Sequence, residues 1–271
     1  MEYLTPNLSS TETLPSYKNP PINEVVCGMR FQTPDKVHIA HVGLLWDKFR
    51  QEYPIIQHAP PIASAKGEIQ IDIRTGIPLP RVWFINRADD QLIQFQFDRV
   101  YFNWRRREND YPRYSHVIKN FQNVQNTLEK FFKEFDLGEL RPIEYELSYI
   151  NHIPKGQGWN TIDDLPKVFL DFVWKQITGR FLPNPVNIAW RTAFPLPEAK
   201  GSLAVNLKEA TRADDKIPLF VLELKASGID ESKNIGALRE WFDLAHEWIV
   251  RGFADLTTSE VQKVCWERED A

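Results

Sequence analysis

The sequence predicts an α+β protein in which two diverged β-α-β(3–4)-α units form a curved antiparallel sheet, with long helices packed on one face. Several segments alternate strictly between apolar and polar residues, which is typical of antiparallel strands with one buried face. Two long segments carry apolar residues at every third or fourth position, as amphipathic helices do. The same order of elements occurs twice along the chain, with an offset of about 120 residues between matching landmarks.

The composition is that of a globular protein with ample apolar material for a core. Hydrophobic residues make up 42% and aromatic residues 13% of the 271 residues. The net charge of −4 divides into +1 over residues 1–138 and −5 over residues 139–271, so we expect an anionic partner to contact the first half. The chain has no apolar run of membrane-spanning length and no signal-peptide pattern, which predicts a cytoplasmic protein without membrane contact.

The first predicted unit covers residues 22–138. It follows a polar, proline-containing segment, residues 1–21, that we expect to be a flexible N-terminal tail. After a strand at 22–31, Thr33 is a candidate N-cap and Pro34 fits the first position of a helix. The remaining elements of this unit are four strands and a long helix, predicted at 66–75, 80–87, 91–98, 99–105 and 113–136.

The second predicted unit covers residues 139–271 and repeats this order with different residues. A strand at 142–154 precedes a helix at 161–179. A long helix at 233–253 and a short helix that begins after Thr258 complete the unit. Between these helices we expect three strands, at 185–197, 201–212 and 217–228. The element order resembles that of the TATA-binding saddle and of helix-grip folds, a likeness that concerns architecture and predicts no function.

The most informative segment for function is the basic and aromatic stretch at 99–114, where a strand leads into the long helix. Its five arginines and two acidic residues give a local net charge of +3. Guanidinium groups can hold phosphate or carboxylate groups, and aromatic rings can stack on bases. The alternative is a structural corner in which Trp104 and Tyr114 are buried and the arginines bind Glu108 and Asp110. The candidate ligand- or partner-binding residues are Arg99, Trp104, Arg105, Arg106, Arg107, Tyr111, Arg113 and Tyr114.

A second pattern is compatible with catalysis. Glu223 and Lys225 form an E-x-K pattern on a predicted strand, with Asp214 and Asp215 upstream. Metal-dependent nucleases use two acids to hold Mg²⁺ and a lysine to support the nucleophile. Asp215, Glu223 and Lys225 are therefore the alternative nuclease residues, although alternating charges on a solvent-facing strand produce the same letters.

Other polar residues have simpler structural explanations. His38 and His41 lie three positions apart on the first helix, but no nearby acid or cysteine completes a metal site. Glu24 and Glu144 occupy matching places in the two units, and we expect ion pairs with arginine at both. Because no GxSxG, GxGxxG or P-loop motif occurs, we assign no catalytic residue, cofactor or metal ligand.

Two motifs resemble those of a known group of sequences. The opening YKNPPINEVVCGMRF and the later DRVYFNWRRRENDYPRY are similar to a sporadically distributed, uncharacterised bacterial protein family of about this length. That family has a PP-x-x-E-V strand, an N-W-R followed by Y-P-x-Y, and a short C-terminal helix with a late tryptophan. The similarity extends from Pro20 to Trp266. The family's patchy distribution implies gene neighbourhoods associated with mobile elements or defence.

We therefore expect a non-enzymatic binding or adaptor component of a bacterial multi-gene system, such as one for phage defence. It would act through its sheet surface and the basic segment at 99–114. The expected partner is a protein encoded nearby or a nucleic acid, and formation of a homo-oligomer is compatible with the sequence. The alternatives are the metal-dependent nuclease and a sensor that holds an anionic small ligand on the sheet.

Overall fold

A computed structural model describes residues 13–32, 36–63, 71, 80–172, 181–229 and 237–269. The fold is α+β, as predicted, and its described strands form one open antiparallel sheet of nine strands. The strands are β1 (Ile22–Phe31), β2 (Ile55–Ala59), β3 (Arg81–Ile85), β4 (Gln91–Gln96), β5 (Arg99–Arg105), β6 (Pro142–Pro154), β7 (Ala189–Pro195), β8 (Ser202–Thr211) and β9 (Pro218–Gly228). The α-helices are α1 (Ile39–Phe49), α2 (Tyr114–Glu134), α3 (Leu165–Val168), α4 (Ala237–Leu256) and α5 (Ser259–Val264). Across the sheet the strands follow the order β2-β3-β4-β5-β1-β6-β9-β8-β7.

The chain divides into two compact units. The first unit is Glu24–Leu147, and the second unit is Met1–Asn23 together with Ser148–Ala271. The division falls within β6, later in the chain than the predicted boundary between residues 138 and 139. In the described ranges, no helix is both long enough and apolar enough to cross a membrane.

In the first unit, one face of the sheet packs against α2. Alternate residues of β1 and β5 are buried on this face, and Phe31 meets Phe132 of α2 edge to face, with ring centroids 6.0 Å apart. The apolar stripe predicted for the long helix is confirmed by the burial of Val117, Phe121, Val124, Leu128 and Phe131. The burial of these apolar side chains contributes most of the free energy that stabilises the packing of α2 on the sheet.

In the second unit, α4 packs against β8 and β9. Gly252 of α4 lies against Leu203 and Leu224, so the helix approaches the sheet closely at this point. The predicted apolar face of the long helix is confirmed at Phe242, Ala245, Ile249 and Phe253, which are buried. α5 begins as predicted after Thr258, whose side-chain oxygen accepts a hydrogen bond from the backbone N–H of Val261.

Residues 13–21 are not a loose tail, which corrects the prediction for this part of residues 1–21. The backbone N–H of Lys18 donates to the carbonyl oxygen of Glu267 at 3.1 Å. Tyr17 is buried, with its ring centroid 5.6 Å from that of Phe253 and 6.4 Å from that of Trp266. These partners are distant in sequence, so the polar composition of the segment could not indicate them. Residues 1–12 lie outside the described part of the chain.

The first helix begins later than predicted. α1 starts at Ile39 with His38 as its N-cap, and Nδ1 of His41 accepts a hydrogen bond from the backbone N–H of His38 at 2.9 Å. The two histidines therefore cap a helix end, where free backbone N–H groups need acceptors. The predicted cap residues, Thr33 and Pro34, lie outside the described residues.

Other predicted elements differ from the structure. No strand is predicted at β2, which lies between Pro54 and Pro60 and pairs with β3. Because most of its residues are exposed, its sequence lacks the alternation of a half-buried strand. The predicted strand at 66–75 lies outside the described residues, apart from residue 71. The predicted helix at 161–179 is present only over residues 162–168, as a 3-10 turn (Ile162–Asp164) followed by α3. Phe169 is extended and ends α3, and residues 173–180 are outside the described residues.

Candidate binding surfaces of the first unit

The sheet face of the first unit that lies opposite α2 is polar. Residues that stand directly opposite each other in an antiparallel pair share a face, so the strand register defines rows across it. Arg99 lies opposite both Arg30 and Gln96, and Tyr101 lies opposite Gly28 and Gln94. Trp83 of β3 lies opposite Gln94 and extends the second row. The polar face comprises Glu24, Arg30, Arg81, Trp83, Gln94, Gln96, Arg99, Tyr101 and Asn103.

A chain of side-chain hydrogen bonds crosses this polar face from β3 to β1. Gln94 Oε1 accepts from Arg81 Nη1 at 3.2 Å and from Trp83 Nε1 at 3.0 Å. Gln94 Nε2 then donates to Asn103 Oδ1 at 2.8 Å, and Asn103 Nδ2 donates to Glu24 Oε1 at 2.6 Å. Gln94 is 8% exposed and Asn103 is 3% exposed, so the bond between them is shielded from water. We call these five residues the amide ladder.

Trp83 determines the direction of the amide ladder. An indole N–H can only donate, so Gln94 must turn its carbonyl oxygen toward β3 and its amino group toward β5. Asn103 then presents its oxygen to Gln94 and its amino group to Glu24, whose ionised carboxylate can only accept. The ladder therefore joins a cation on β3 to an anion on β1, with every donor pointing the same way.

Arg99 forms a buried ion pair. Its Nε and Nη2 donate to the two carboxylate oxygens of Asp98 at 2.7 and 2.8 Å, and the residue is 4% exposed. Burial by itself would lower the pKa of Arg99, but the hydrogen bond and charge of Asp98, assisted by Tyr101, outweigh it and raise the pKa. Arg99 thus stays charged, and Asp98 neutralises it within the fold.

Tyr101 covers a position of β1 that has no side chain. A Cβ atom placed on Gly28 would lie 2.0 Å from Cδ1 of Tyr101, so the tyrosine ring rests directly on the glycine. Burial raises the pKa of Tyr101, and the charge of Glu146 acts in the same direction, whereas Arg99 opposes both. The phenol therefore remains protonated at neutral pH.

Glu24 and Glu144, which match each other in the predicted repeat, do not form a carboxylate pair. Glu144 accepts a hydrogen bond from Arg30 Nη1 at 2.7 Å, which confirms the ion pair expected for it. Glu24 accepts from Asn103 at the end of the amide ladder. The two carboxylates are therefore held by different donors.

The predicted basic segment forms a corner with the turn between β3 and β4. Asp89, in that turn, binds both Arg105 and Arg107. Arg107 Nε donates to Asp89 Oδ2 at 2.9 Å, while Arg105 Nη2 donates to Oδ1. Asp89 has a φ of 58°, a left-handed conformation that aspartate adopts more readily than most residues. We call residues 86–90 and 105–114 the arginine corner.

A second aspartate connects the two loops of the arginine corner. Asp90 is buried and accepts hydrogen bonds from Asn86 Nδ2 at 2.6 Å and from Asn109 Nδ2 at 3.0 Å. The backbone N–H of Arg105 donates to the carbonyl oxygen of Asp90 at 2.7 Å. The turn therefore holds the arginine-bearing loop in one position through both side chains and backbone.

Several of the predicted binding residues are buried. Trp104 and Tyr114 are buried, as the structural alternative expects, and Arg99 is buried with Asp98, so these three side chains do not form the surface of the corner. The ring of Trp104 packs against that of Tyr111, with centroids 5.4 Å apart. The Arg105 side chain is 16% exposed; burial lowers its pKa, and the charge of Asp89 opposes that effect.

The outer surface of the arginine corner carries three exposed arginines beside two exposed acidic residues, Glu108 and Asp110. The Arg107 side chain is 40% exposed, and Arg113 and Arg87 are exposed as well. Arg106 is half-buried; burial lowers its pKa, while the charge of Asp110 acts in the opposite direction. With the turn included, the corner holds five arginines and four acidic residues, so its net charge is +1.

The alternative nuclease residues are not brought together. Asp215 lies in the turn after β8 and binds Arg212 at 3.0 Å, while Glu223 accepts from Asn206 Nδ2 at 3.2 Å. Glu223 lies about 17 Å along β9 from the start of that strand, and Lys225 lies farther still. Two acids this far apart cannot share a Mg²⁺ ion, whose ligands bind at about 2 Å. Among the described residues, no three His, Cys, Asp or Glu side chains are grouped as a metal site would require.

Comparison with known proteins assigns no family to the chain. No family model matches it, and no curated protein or solved structure matches it either. The resemblance to a bacterial family, and the gene neighbourhood that it implies, therefore stay predictions.

The sequence pattern points to the arginines but not to their partners. Asp89 and Asp90 fall in a predicted turn, and Gln94 and Asn103 fall at strand positions that alternation assigns to solvent. A signal is nevertheless present in the sequence. The polar positions in the middle of β4 and β5 carry amides, where a wet strand face commonly carries lysine or glutamate.

Proposed function

We propose that the protein is a non-catalytic binding protein whose arginine corner contacts a protein partner. The observation that supports this proposal is the shared use of Asp89, which holds Arg105 beneath the surface and Arg107 at the surface. Two guanidinium groups on one carboxylate leave an excess of positive charge at a defined position. An arginine held in this way loses little conformational entropy on binding, and arginine is enriched among the residues that dominate binding energy.

The charge of the corner favours a protein partner over a nucleic acid. The corner has a net charge of +1 and the whole chain has −4, whereas nucleic-acid binders neutralise several phosphates with a strong local excess of cations. Arg87, Arg107 and Arg113 instead suit a few carboxylates on an acidic protein surface. The family resemblance adds the expectation that this partner is encoded nearby, in a multi-gene system such as one for phage defence.

The proposal is tested by reversing the charge of exposed arginines. Full-length tagged wild type, Arg107→Glu and Arg113→Glu are compared by affinity enrichment from cells of the native host, with proteins quantified by mass spectrometry. We expect a protein that is enriched with wild type and lost with both variants. In purified form it should bind each variant at least about 30-fold more weakly, because anchor arginines commonly contribute about 2 kcal/mol. The matched control is Arg191→Glu, at an exposed arginine of the second unit.

Melting temperatures separate a loss of binding from a loss of stability. Arg113 is exposed, so Arg113→Glu should melt close to wild type. Partner binding that is equal for wild type and both variants contradicts the proposal. Binding of DNA or RNA that weakens in both variants, with no protein enriched, would support the nucleic-acid alternative in its place.

A further inference from the structure

Arg81, at the start of β3, carries a charge that no described residue neutralises. Its hydrogen bond within the described part of the chain goes from Nη1 to Oε1 of Gln94, which is neutral. Its guanidinium carbon lies 5.4 Å from the centre of the Trp83 ring. Burial lowers the pKa of Arg81, Tyr101 opposes that effect, and the like charge of Arg99 adds to it. A cation–π contact offsets only part of what it costs to desolvate a charge.

The other two arginines of the polar face differ from Arg81 in this respect. Arg30 binds Glu144, and Arg99 binds Asp98 with Nε and Nη2, which form one edge of its guanidinium group. The Nε atoms of Arg81 and Arg30 are both buried and have no hydrogen-bond partner among the residues that the structure describes, but Arg30 has the carboxylate of Glu144 at its Nη1, whereas Arg81 has the neutral amide of Gln94 there. Buried donors without an acceptor are costly and rare in native proteins. This edge of Arg81 is therefore suited to an acceptor from outside the described chain.

We propose that Arg81 anchors an anion-binding site on the polar face, which takes the carboxylate or phosphate group of a small ligand. The oxygens of the ligand would accept hydrogen bonds from the guanidinium group in the forked geometry that Arg99 and Asp98 already show. The Trp83 ring lies against the guanidinium group and helps to hold it in place. The site is separate from the arginine corner and does not depend on the function proposed for it.

Gln94 is a positioning residue for this site. Its carbonyl oxygen accepts from both Arg81 and Trp83, and the direction of the amide ladder keeps that oxygen turned toward β3. Asn103 holds the other end of the Gln94 amide. The Asn103→Leu substitution removes this hold and leaves Arg81 in place, so it should weaken anion binding less than the loss of Arg81 does.

Calorimetric titration with inorganic phosphate and with citrate, at constant ionic strength, tests the proposal. We expect the full-length wild type to bind at least one of the two anions. Arg81→Gln should bind it at least about 10-fold more weakly, and Arg81→Lys, which keeps the charge without the fork, should fall between them. Arg191→Gln, in the second unit, should bind as wild type does. Binding of phosphate assigns a phosphorylated ligand, and binding of citrate assigns a carboxylate ligand.

Thermal stability provides a second readout that a purely structural role would not reproduce. Without anions, Arg81→Gln should melt at or above wild type, because it removes an uncompensated charge. The binding anion should then raise the melting temperature of wild type but not that of the variant. Failure of wild type to bind either anion, or equal binding by wild type and Arg81→Gln, overturns the proposal. Partner binding is measured separately with Arg107→Glu, so the two proposals can fail independently.

Discussion

Gln94 on β4 and Asn103 on β5 share a hydrogen bond of 2.8 Å between their side-chain amides, in the buried middle of the polar face. Neither amide can reverse its donor and acceptor ends, because Trp83 only donates at one end and Glu24 only accepts at the other. A buried network in which each of these bonds is made favours one arrangement of side chains, since the alternatives leave polar groups unpaired.

We expect Gln94→Leu and Asn103→Leu each to lower the free energy of unfolding by about 2 kcal/mol, because each leaves buried partners without a hydrogen bond. The double variant should lose less than the sum, since the second substitution removes a group that the first has already left unpaired. Urea denaturation of wild type and the three variants measures this. Gln57→Leu, on exposed β2, is the control. Strictly additive losses would show that the two amides act independently.

The shared carboxylate of the arginine corner predicts a salt-dependent effect on stability. Asp89→Asn keeps a residue that tolerates the left-handed conformation but leaves Arg105 and Arg107 facing each other. Because the ion pairs of Asp89 are partly exposed, the free energy of unfolding should fall by only about 0.5–1 kcal/mol, and this decrease should be smaller at high salt. In an Arg107→Gln background, Asp89→Asn should lower the free energy of unfolding less, because Arg105 and Arg107 no longer repel each other. Denaturation curves at two salt concentrations that show no difference would contradict this account.

The contact between Gly28 and Tyr101 predicts a steric conflict on substitution. Gly28→Ala would place its Cβ atom about where the tyrosine ring lies, so we expect a loss of about 1–3 kcal/mol from overpacking. Tyr101→Ala in the same chain should remove most of this additional cost. Gly43→Ala is the matched control, because open space surrounds Gly43 on α1 and alanine favours the helix there. If Gly28→Ala lowers the free energy of unfolding equally with and without the Tyr101 ring, a steric clash with that ring is excluded as the cause.

His246 on α4 predicts a loss of stability in acid. Burial lowers its pKa from 6.5 to about 4, with Asp243 opposing this shift and Arg239 assisting it. Between pH 6.5 and pH 4 the imidazole binds a proton in the unfolded chain but not in the folded chain. The stability that depends on the neutral imidazole is therefore complete above about pH 6.5 and is lost as the pH falls toward 4. The full effect is about 3 kcal/mol and is reached only below pH 4. His246→Gln cannot titrate, so its stability should fall less steeply over this range; parallel curves for the two proteins would contradict the assignment.

The centres of the two helical stripes predict large effects on the core. Phe121 of α2 and Phe242 of α4 are fully buried, so Phe121→Ala and Phe242→Ala should each cost about 3–5 kcal/mol. Leu44→Ala, at an exposed position of α1, is the control and should cost far less. Denaturant midpoints measure the difference. Variants that unfold at the wild-type midpoint would show that these rings are not part of the core.

Much of the fold could be predicted because its signals are local. β1 and β6 have the predicted bounds, since alternation and flanking prolines mark both their faces and their ends. The cap at Thr258 likewise depends on residues within one turn of helix. The prediction is wrong where a distant contact decides the outcome. β2 exists because it pairs with β3, and α3 ends where Phe169 forms an isolated bridge with Thr257.

The candidate site divides in the same way. The sequence by itself determined that arginines and aromatic residues concentrate where β5 leads into α2, because that clustering is contiguous in the chain. Only the tertiary structure decided that Asp89 binds two of these arginines and that Arg99 is buried with Asp98. It also decided that the hydrogen-bond acceptor of Arg81 among the described residues is the neutral Gln94 and not a carboxylate. Alternation assigns a residue to one of two faces, but the register between strands and the path of each turn decide which side chains meet. The register depends on many contacts between residues far apart in sequence, so the pattern of a single strand cannot predict it.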